Sequence, residues 1–129
     1  MSGHIVDTHA LIWYLGGSSR LSGQARDLLD AAMEGTSRIF IPAIVVAELM
    51  MFAEKHKQIN PEKIISGLRA MPGIEFLVLL PETAASIRDL TMLPDIHDRL
   101  IVAESLVQNL PLISFDERIT KSKLVNVVW

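Results

Sequence analysis

Four acidic side chains stand in sequence contexts where carboxylates commonly do chemistry. Asp7 closes the apolar run "HIV", Glu48 is the one charged residue of "IVVAELMMF", Asp98 ends the segment "TMLPDIHD", and Asp116 lies within "ISFDERI". Carboxylates brought together raise one another's pKa, and a divalent cation relieves that conflict. Mg²⁺ and Mn²⁺ prefer such oxygen ligands, and a bound ion can activate water and stabilise charge developing on a phosphate. The four acids therefore predict a metal site for phosphodiester chemistry, provided that the fold brings them together.

The elements that must position these acids follow from apolar runs and helix-boundary signals. Short apolar runs predict strands at residues 4–7, 37–41, 74–80, 111–114 and 124–128. Ser22 and Asn60 are predicted N-caps, and Gly35 is a predicted helix end. Helices are expected at 8–15, 23–35, 42 to about 57, 61 to the "MPG" at 71–73, 81–90 and 99–108, with a loop at 91–98.

Alternating strands and helices predict a five-stranded parallel sheet with right-handed crossovers and helices on both faces. The third strand, "IEFLVLL", is nearly all apolar, as strands buried on both faces are. In such sheets, functional sites form beyond the carboxyl ends of the strands. Asp7 ends the first predicted strand, and Asp116 lies two residues past the fourth. Asp98 is at the start of the helix that leads into the fourth strand, and Glu48 is on the helix after the second. All four are therefore expected at one edge of the sheet.

Each acid also has a purely structural interpretation. Asp7 can cap the helix "THALIWYL", and Asp116 can cap a short turn at "ERIT". Asp95 and Asp98 are spaced as a helix cap and a residue of the first turn, where negative charge is favoured. Capping is the preferred role for Asp95, and the site is preferred for Asp98. Glu48 has the weakest structural alternative, because its expected helical neighbours Ile44, Val45, Met51 and Phe52 are apolar.

Bulk properties narrow the class of protein. A chain of 129 residues suits one domain spanning 1–129, and it contains no cysteine, which fits a reducing cytoplasm. The N-terminal segment lacks the features of a signal peptide, and no apolar run is long enough for a membrane helix. A net charge of −3 argues against a large general surface for nucleic acid. A cation held by the four acids would leave the rest of the chain slightly basic.

The four segments together resemble the motifs of PIN-domain ribonucleases, specifically the VapC-like toxins of type II toxin–antitoxin pairs. "IVDTHALIWYL" resembles the first motif, with Asp7 as its acid, and "IPAIVVAEL" the second, with Glu48. "DIHDRLIVAES" is similar to the third motif, with Asp98. "LISFDERI" is similar to the fourth, in which Ser114 stands where threonine is commoner and precedes Asp116. The resemblance covers nearly the whole chain.

The resemblance implies a three-layer α/β/α fold and cleavage of single-stranded RNA that depends on Mg²⁺ or Mn²⁺. It also implies homodimers, and a cognate antitoxin that blocks the site. Asp7, Asp98 and Asp116 would then bind the metal directly, and Glu48 would bind it through water or orient the attacking water. Ser114 and Thr8 are expected to support these acids.

Residues beside the acids are candidates for substrate or partner contacts. Arg99 and Arg118 adjoin two of the acids, so they are expected either to contact phosphate or to form surface salt bridges. Trp13 and Tyr14 can stack on bases, although core packing is the preferred interpretation. Met50, Met51 and Phe52 suit either the core or a contact with a second copy or an antitoxin. His9 and His97 flank acids without an assigned role.

Two other functions fit parts of the pattern. A receiver-like phosphorylation domain also has an acid cluster and Mg²⁺, but it needs paired acids after the first strand. Here a single acid precedes "THA". A catalytically silent PIN-like module for binding RNA or protein would retain the fold, and sequence alone leaves it open.

Overall fold

A computed structural model describes residues 2–129, and it contains a five-stranded sheet in which every pairing is parallel. The strands are β1 (His4–Val6), β2 (Ile39–Pro42), β3 (Ile74–Leu77), β4 (Leu112–Ile113) and β5 (Val127–Val128). The helices are α1 (Thr8–Leu15), α2 (Gly23–Glu34), α3 (Ala43–Lys55), α4 (Pro61–Arg69), α5 (Pro81–Ser86), α6 (Ile96–Gln108) and α7 (Glu117–Ser122), with a 3₁₀ turn at Ile87–Asp89. The predicted three-layer α/β/α fold is confirmed.

The sheet order is β3-β2-β1-β4-β5, so β1 lies in the middle and its two neighbours come from distant parts of the chain. The central strands supply a fully apolar core that includes Ile5, Ile39, Phe40 and Ile113, all at most 1% exposed. Helices α3 and α6 pack against each other, and α6 also contacts β1. The N-terminus of α6 is thereby held close to the end of the central strand.

Local signals account for most helix boundaries. The Ser22 hydroxyl accepts a hydrogen bond from the Ala25 N–H, and the Asn60 side chain accepts from the N–H groups of Glu62 and Lys63. Gly35 ends α2 with a φ of 83°, a left-handed conformation that glycine adopts without steric cost. These three predictions are confirmed.

Other boundaries differ from the predicted ones. Strand β3 ends at Leu77 because its only partner, β2, ends at Pro42, the residue paired with Leu77. The prediction that this strand is buried on both faces is wrong, because no residue of Ile74–Leu77 is fully buried and Glu75 is exposed. The first residue beyond it, Val78, is 79% exposed. Helix α6 begins at Ile96, inside the predicted loop, because the Asp95 side chain caps it.

Among residues 2–129, no helix combines the length and the apolar character needed to reach across a bilayer.

Gly73 occupies a position where a side chain has no room. A Cβ atom there would lie under 3.0 Å from the carbonyl oxygens of Ser37 and Ala32, and 2.7 Å from the Ala32 Cα. The Gly73 N–H donates to the Ala32 carbonyl, and the Gly73 carbonyl accepts from the Ile39 N–H. Gly73 therefore joins the end of α2 to the first residues of β2 and β3.

We expect Gly73→Ala to lower the free energy of unfolding by about 3 kcal/mol, because backbone atoms must move to accept the methyl group. The control is Gly67→Ala within α4, where a Cβ would meet no atom within 4 Å. That substitution should stabilise the protein by about 0.5–1 kcal/mol through helix propensity. Urea denaturation measures both values, and equal stability of Gly73→Ala and wild type would contradict the expectation.

Candidate functional site

Two of the four acids lie at the carboxyl ends of neighbouring strands. Strands β1 and β4 pair with Val6 opposite Ile113, so the residues that follow, Asp7 and Ser114, leave the sheet side by side. The Asp7 carboxylate accepts a hydrogen bond from the Ala10 N–H at 2.9 Å and caps α1. Asp116 caps α7 in the same way. The capping alternative therefore holds for both acids, and it fixes them at the sheet edge where the site is expected.

Asp116 is positioned by its own neighbours in the chain. Its carboxylate accepts hydrogen bonds from the N–H groups of Arg118 (2.8 Å) and Ile119 (3.2 Å). The Asp116 N–H in turn donates to the Ser114 hydroxyl at 3.0 Å, and Ser114 is only 1% exposed. The buried hydroxyl therefore bridges the ends of two strands, between Asp7 and the loop that carries Asp116.

Asp98 lies in the first turn of α6, behind the cap residue Asp95. The Asp95 carboxylate accepts from the His97 N–H at 2.7 Å, so the preferred capping role of Asp95 is what the structure shows. The Asp98 side chain is 17% exposed, and its Oδ2 atom is buried with no hydrogen-bond donor among residues 2–129. This oxygen makes no hydrogen bond, and the Arg118 guanidinium 3.5 Å away offsets its lost hydration only in part, so a bound divalent cation would lower the cost of burying the carboxylate.

Glu48 reaches the same region from α3. The Thr8 hydroxyl donates to Glu48 Oε1 at 2.6 Å, and His97 Nδ1 lies 3.4 Å from Oε2. The Glu48 side chain is 26% exposed. The expectation that its apolar helical neighbours enclose this acid is therefore wrong in part. Val45 is buried, but Met51 is 58% exposed. Thr8 holds Glu48 by a direct contact across 40 residues of sequence.

Burial and the nearby negative charges raise the pKa of two acids, Asp7 and Asp98. Burial raises the pKa of Asp7, with Asp116 acting in the same direction, while nearby Ser114 and the Ala10 N–H act against it. Burial raises the pKa of Asp98 to about 6, and the negative charges of Asp116, Asp95 and Glu48 add to the effect. The positive charge of Arg118 partly offsets it. The acids therefore lie close enough to compete for a counterion.

A cleft of about 780 Å³ opens onto these residues. Its lining includes the acids Asp7, Glu48, Asp95, Asp98 and Asp116 and the arginines Arg20 and Arg118. With five acids and two arginines, the cleft as it stands would repel a phosphate group. Binding of a nucleic acid therefore requires added positive charge at the acids.

The two arginines that adjoin acids in the sequence have different positions. Arg118 lies in the cleft, with Nη2 at 3.5 Å from Asp98 Oδ2 and 3.6 Å from Asp116 Oδ2. Its salt-bridge alternative is therefore realised, although the side chain is 61% exposed and free to reorient. Arg99 turns away and donates hydrogen bonds to the carbonyls of Leu93 and Ile87. The structure does not bring Arg99 into the site, so the predicted phosphate contact from Arg99 lacks support.

The donor chemistry of the cleft fits a divalent cation. Carboxylate oxygens dominate it, Asp98 Oδ2 is buried without a hydrogen-bond donor, and the neighbouring acids help to raise the pKa of Asp98. Within residues 2–129, however, no three Asp, Glu or His side chains are already arranged closely enough to hold an ion. The Arg118 guanidinium contacts two of the acids instead, so small side-chain movements must precede metal binding.

Several cleft residues were not identified as site residues from the sequence. Arg20 lies in the segment after α1 and is distant in sequence from each of the four site acids, so no local signal marks it. Phe115 stands between Ser114 and Asp116 and also lines the cleft, although it is neither acidic nor basic. His9 and His97 also line the cleft, and His97 contacts Glu48.

Comparison with known proteins identifies the family. Residues 4–123 match the PIN domain family. The chain belongs to the PIN-domain family. No curated protein sequence matches it significantly.

Solved structures with the same fold span nearly the full length of this PIN domain. The DNA-bound VapBC complex from Salmonella typhimurium contains a chain with TM-score 0.69 and 16% identity, with 99% of this chain and 98% of that chain covered. A toxin–antitoxin complex from Klebsiella pneumoniae gives TM-score 0.68 and 21% identity, with 98% and 97% covered. VapBC2 from Rickettsia felis, bound to a promoter DNA fragment, gives TM-score 0.69 and 16% identity, with 97% and 96% covered. At these identities the likeness shows the fold.

The raised pKa of Asp98 makes a prediction for the metal-free PIN domain. A carboxyl whose folded pKa is raised from 3.8 to about 6 contributes stability below pH 4, and that contribution is lost as pH rises through 6. Asp98→Asn removes the penalty of the buried charge. In EDTA at pH 7 we expect this substitution to raise the free energy of unfolding by about 2 kcal/mol.

The difference between the Asp98→Asn variant and wild type should shrink towards zero as pH falls from 7 to 4, as measured by urea denaturation at each pH. Asp27→Asn, on the exposed face of α2, is the control and should change stability little at any pH. A difference that stays constant across this range would contradict the assignment of the raised pKa to Asp98.

Proposed function

We propose that this PIN domain is a metal-dependent endoribonuclease that hydrolyses single-stranded RNA and serves as the toxin of a toxin–antitoxin pair. The observation that carries the proposal is the set of four acids, Asp7, Glu48, Asp98 and Asp116, gathered at the carboxyl edge of the sheet in one cleft. The family match and the fold shared with toxin–antitoxin complexes support it.

In this proposal Asp7, Asp98 and Asp116 hold Mg²⁺ or Mn²⁺ directly. The ion supplies a water of lowered pKa and positive charge for the phosphate. Glu48, held by the Thr8 hydroxyl, binds the ion through water or orients the attacking water. Ser114 keeps Asp7 and Asp116 in register, since it contacts the Asp116 N–H and lies beside Asp7.

Arg118 is proposed to contact the substrate phosphate. Its side chain is mostly exposed and touches Asp98 and Asp116 only at 3.5–3.6 Å. When those acids bind an ion, their attraction for the guanidinium falls, and the arginine becomes available to a second anion. In a nuclease this anion is the phosphate of the substrate, and a guanidinium can donate two parallel hydrogen bonds to its oxygens.

The nuclease proposal predicts that Asp7→Asn, Asp98→Asn and Asp116→Asn each lower RNA cleavage by at least about a hundredfold. Asparagine is the suitable replacement because it caps helices as well as aspartate does, so α1 and α7 should stay intact. Cleavage of a labelled single-stranded RNA in Mn²⁺ or Mg²⁺ gives the measurement. EDTA should abolish it, and added Mn²⁺ should restore it.

Asp27→Asn is the matched control for this assay and should cleave at the wild-type rate. Full activity in the three site variants would refute the proposed site. A catalytically silent module remains the alternative function, and it would be favoured if the wild-type chain bound no divalent ion in a calorimetric titration.

The toxin proposal also includes a homodimer and a protein antitoxin that covers the cleft. Large apolar side chains that reach solvent on α3 and α6 support a protein contact: Met51 is 58% exposed, Ile96 56% and Val107 53%. We also propose action in the cytoplasm, which fits both an RNA substrate and the absence of cysteine.

We expect sedimentation of the purified chain at micromolar concentration to give twice the mass of one chain. Val107→Lys should shift it towards the monomer if α6 contributes to the contact, while Met33→Lys on α2 serves as an exposed apolar control. A wild-type chain that sediments as a monomer at every concentration tested would remove the dimer from the proposal. The antitoxin is tested separately, by adding the product of a short neighbouring reading frame to the cleavage assay.

A further inference from the structure

Three aromatic rings meet at one side of the cleft. Trp13 of α1 lies 5.8 Å from both Phe115 and Trp129 between ring centroids, and Phe115 lies 5.3 Å from Trp129. The rings are tilted or edge-on to one another, which are favourable geometries for aromatic pairs. We call Trp13, Phe115 and Trp129 the aromatic cluster. It joins α1 to the segment that follows β4 and to the end of the chain.

Phe115 is unusual within the aromatic cluster because it is 57% exposed. Its neighbour Ser114 points inward and is 1% exposed, so the extended backbone directs the next side chain outward, into the cleft. Packing against the two tryptophans explains only the covered part of the ring. The remaining apolar surface lies in water, one residue from Asp116.

A positively charged side chain, that of Arg20, lies next to the aromatic cluster. The Arg20 guanidinium lies 5.7 Å from the centre of the Trp13 ring, and Arg20 also lines the cleft. Within residues 2–129 Arg20 forms no salt bridge, so its charge is available to a ligand. Besides its carboxylates, the cleft thus contains an exposed aromatic ring and a cation that forms no salt bridge within residues 2–129.

We propose that the aromatic cluster is a stacking site for one unpaired base of the RNA substrate, with Phe115 as the stacking ring and Arg20 contacting an adjacent phosphate. This inference rests on the proposed function and names where the substrate is held. A base offers a flat π-face, and a phosphate next to it carries one negative charge. An aromatic ring with a nearby guanidinium complements both, as in many single-strand binding sites.

The position of Phe115 gives the stacked base a role in specificity. Because Phe115 directly precedes Asp116, a base on this ring belongs to a nucleotide close to the phosphate held at the acids. Stacking accepts any base but favours the larger purine surface. The aromatic cluster therefore selects among single-stranded sites by the nucleotide next to the cut, and it excludes a paired base, whose faces are already covered.

Binding measured without cleavage tests this inference. The chain carries Asp7→Asn, Asp98→Asn and Asp116→Asn together, which leaves two acids and two arginines in the cleft and so removes its excess negative charge, and the buffer contains EDTA. In this background we expect Phe115→Leu to weaken binding of a short labelled single-stranded RNA about tenfold, equivalent to about 1.4 kcal/mol for one stacked base. Phe115→Tyr should retain the affinity, and the thermal unfolding temperatures of all three chains should agree.

An oligonucleotide of the same length without bases separates stacking from charge. It should bind the parent chain and the Phe115→Leu variant equally. Both tryptophans of the protein belong to the aromatic cluster, so intrinsic fluorescence reports on it directly. RNA should quench this fluorescence, and the oligonucleotide without bases should not.

Equal RNA affinity of Phe115→Leu and its parent, or no RNA binding by the parent, would overturn the inference. The inference would also be overturned if Phe115→Leu changed self-association in sedimentation and left RNA affinity unchanged, because the ring would then belong to a protein contact. Phe115-dependent binding in a chain that cleaves no RNA with Mn²⁺ would support the stacking site while refuting the nuclease proposal.

Discussion

Repulsion among carboxylates is the constraint on which the arrangement of this PIN domain depends. Five acids line one cleft, and the pKa of Asp98 is raised to about 6 by burial and by its acidic neighbours. The fold tolerates this because Asp7 and Asp116 cap helices and Asp98 lies in the first turn of another. The N–H groups and positive dipole ends of α1, α6 and α7 therefore face the negative charge.

The parallel pairing of the strands brings the helix-capping acids together in one site. Strands β1 and β4 are neighbours only because the chain crosses over between them, and their register sets Asp7 beside Ser114. Helix α6 then packs on β1 and α3, which brings Asp98 and Glu48 to the same edge. Each acid is placed by its own short segment, but the distances between acids depend on strand order and helix packing.

This division explains what the sequence could predict. The N-caps at Ser22, Asn60 and Asp95 depend on a few adjacent residues, so local signals sufficed to identify them. The extent of β3 depends on where β2 ends, and the order of strands depends on the whole chain, so neither follows from a local pattern. The same holds for Arg99, whose carbonyl partners in the 3₁₀ turn and the following loop are set by tertiary packing.

The position of Arg118 affects the charge balance of the cleft in the absence of a metal ion. Its guanidinium contacts Asp98 and Asp116, so the chain brings its own counter-charge to the place that a cation would take. The positive charge of Arg118 therefore reduces the repulsion between these two acids in the metal-free chain. Under the proposed function, a divalent ion would take the place of the guanidinium beside Asp98 and Asp116, so metal binding would exchange one positive group for another.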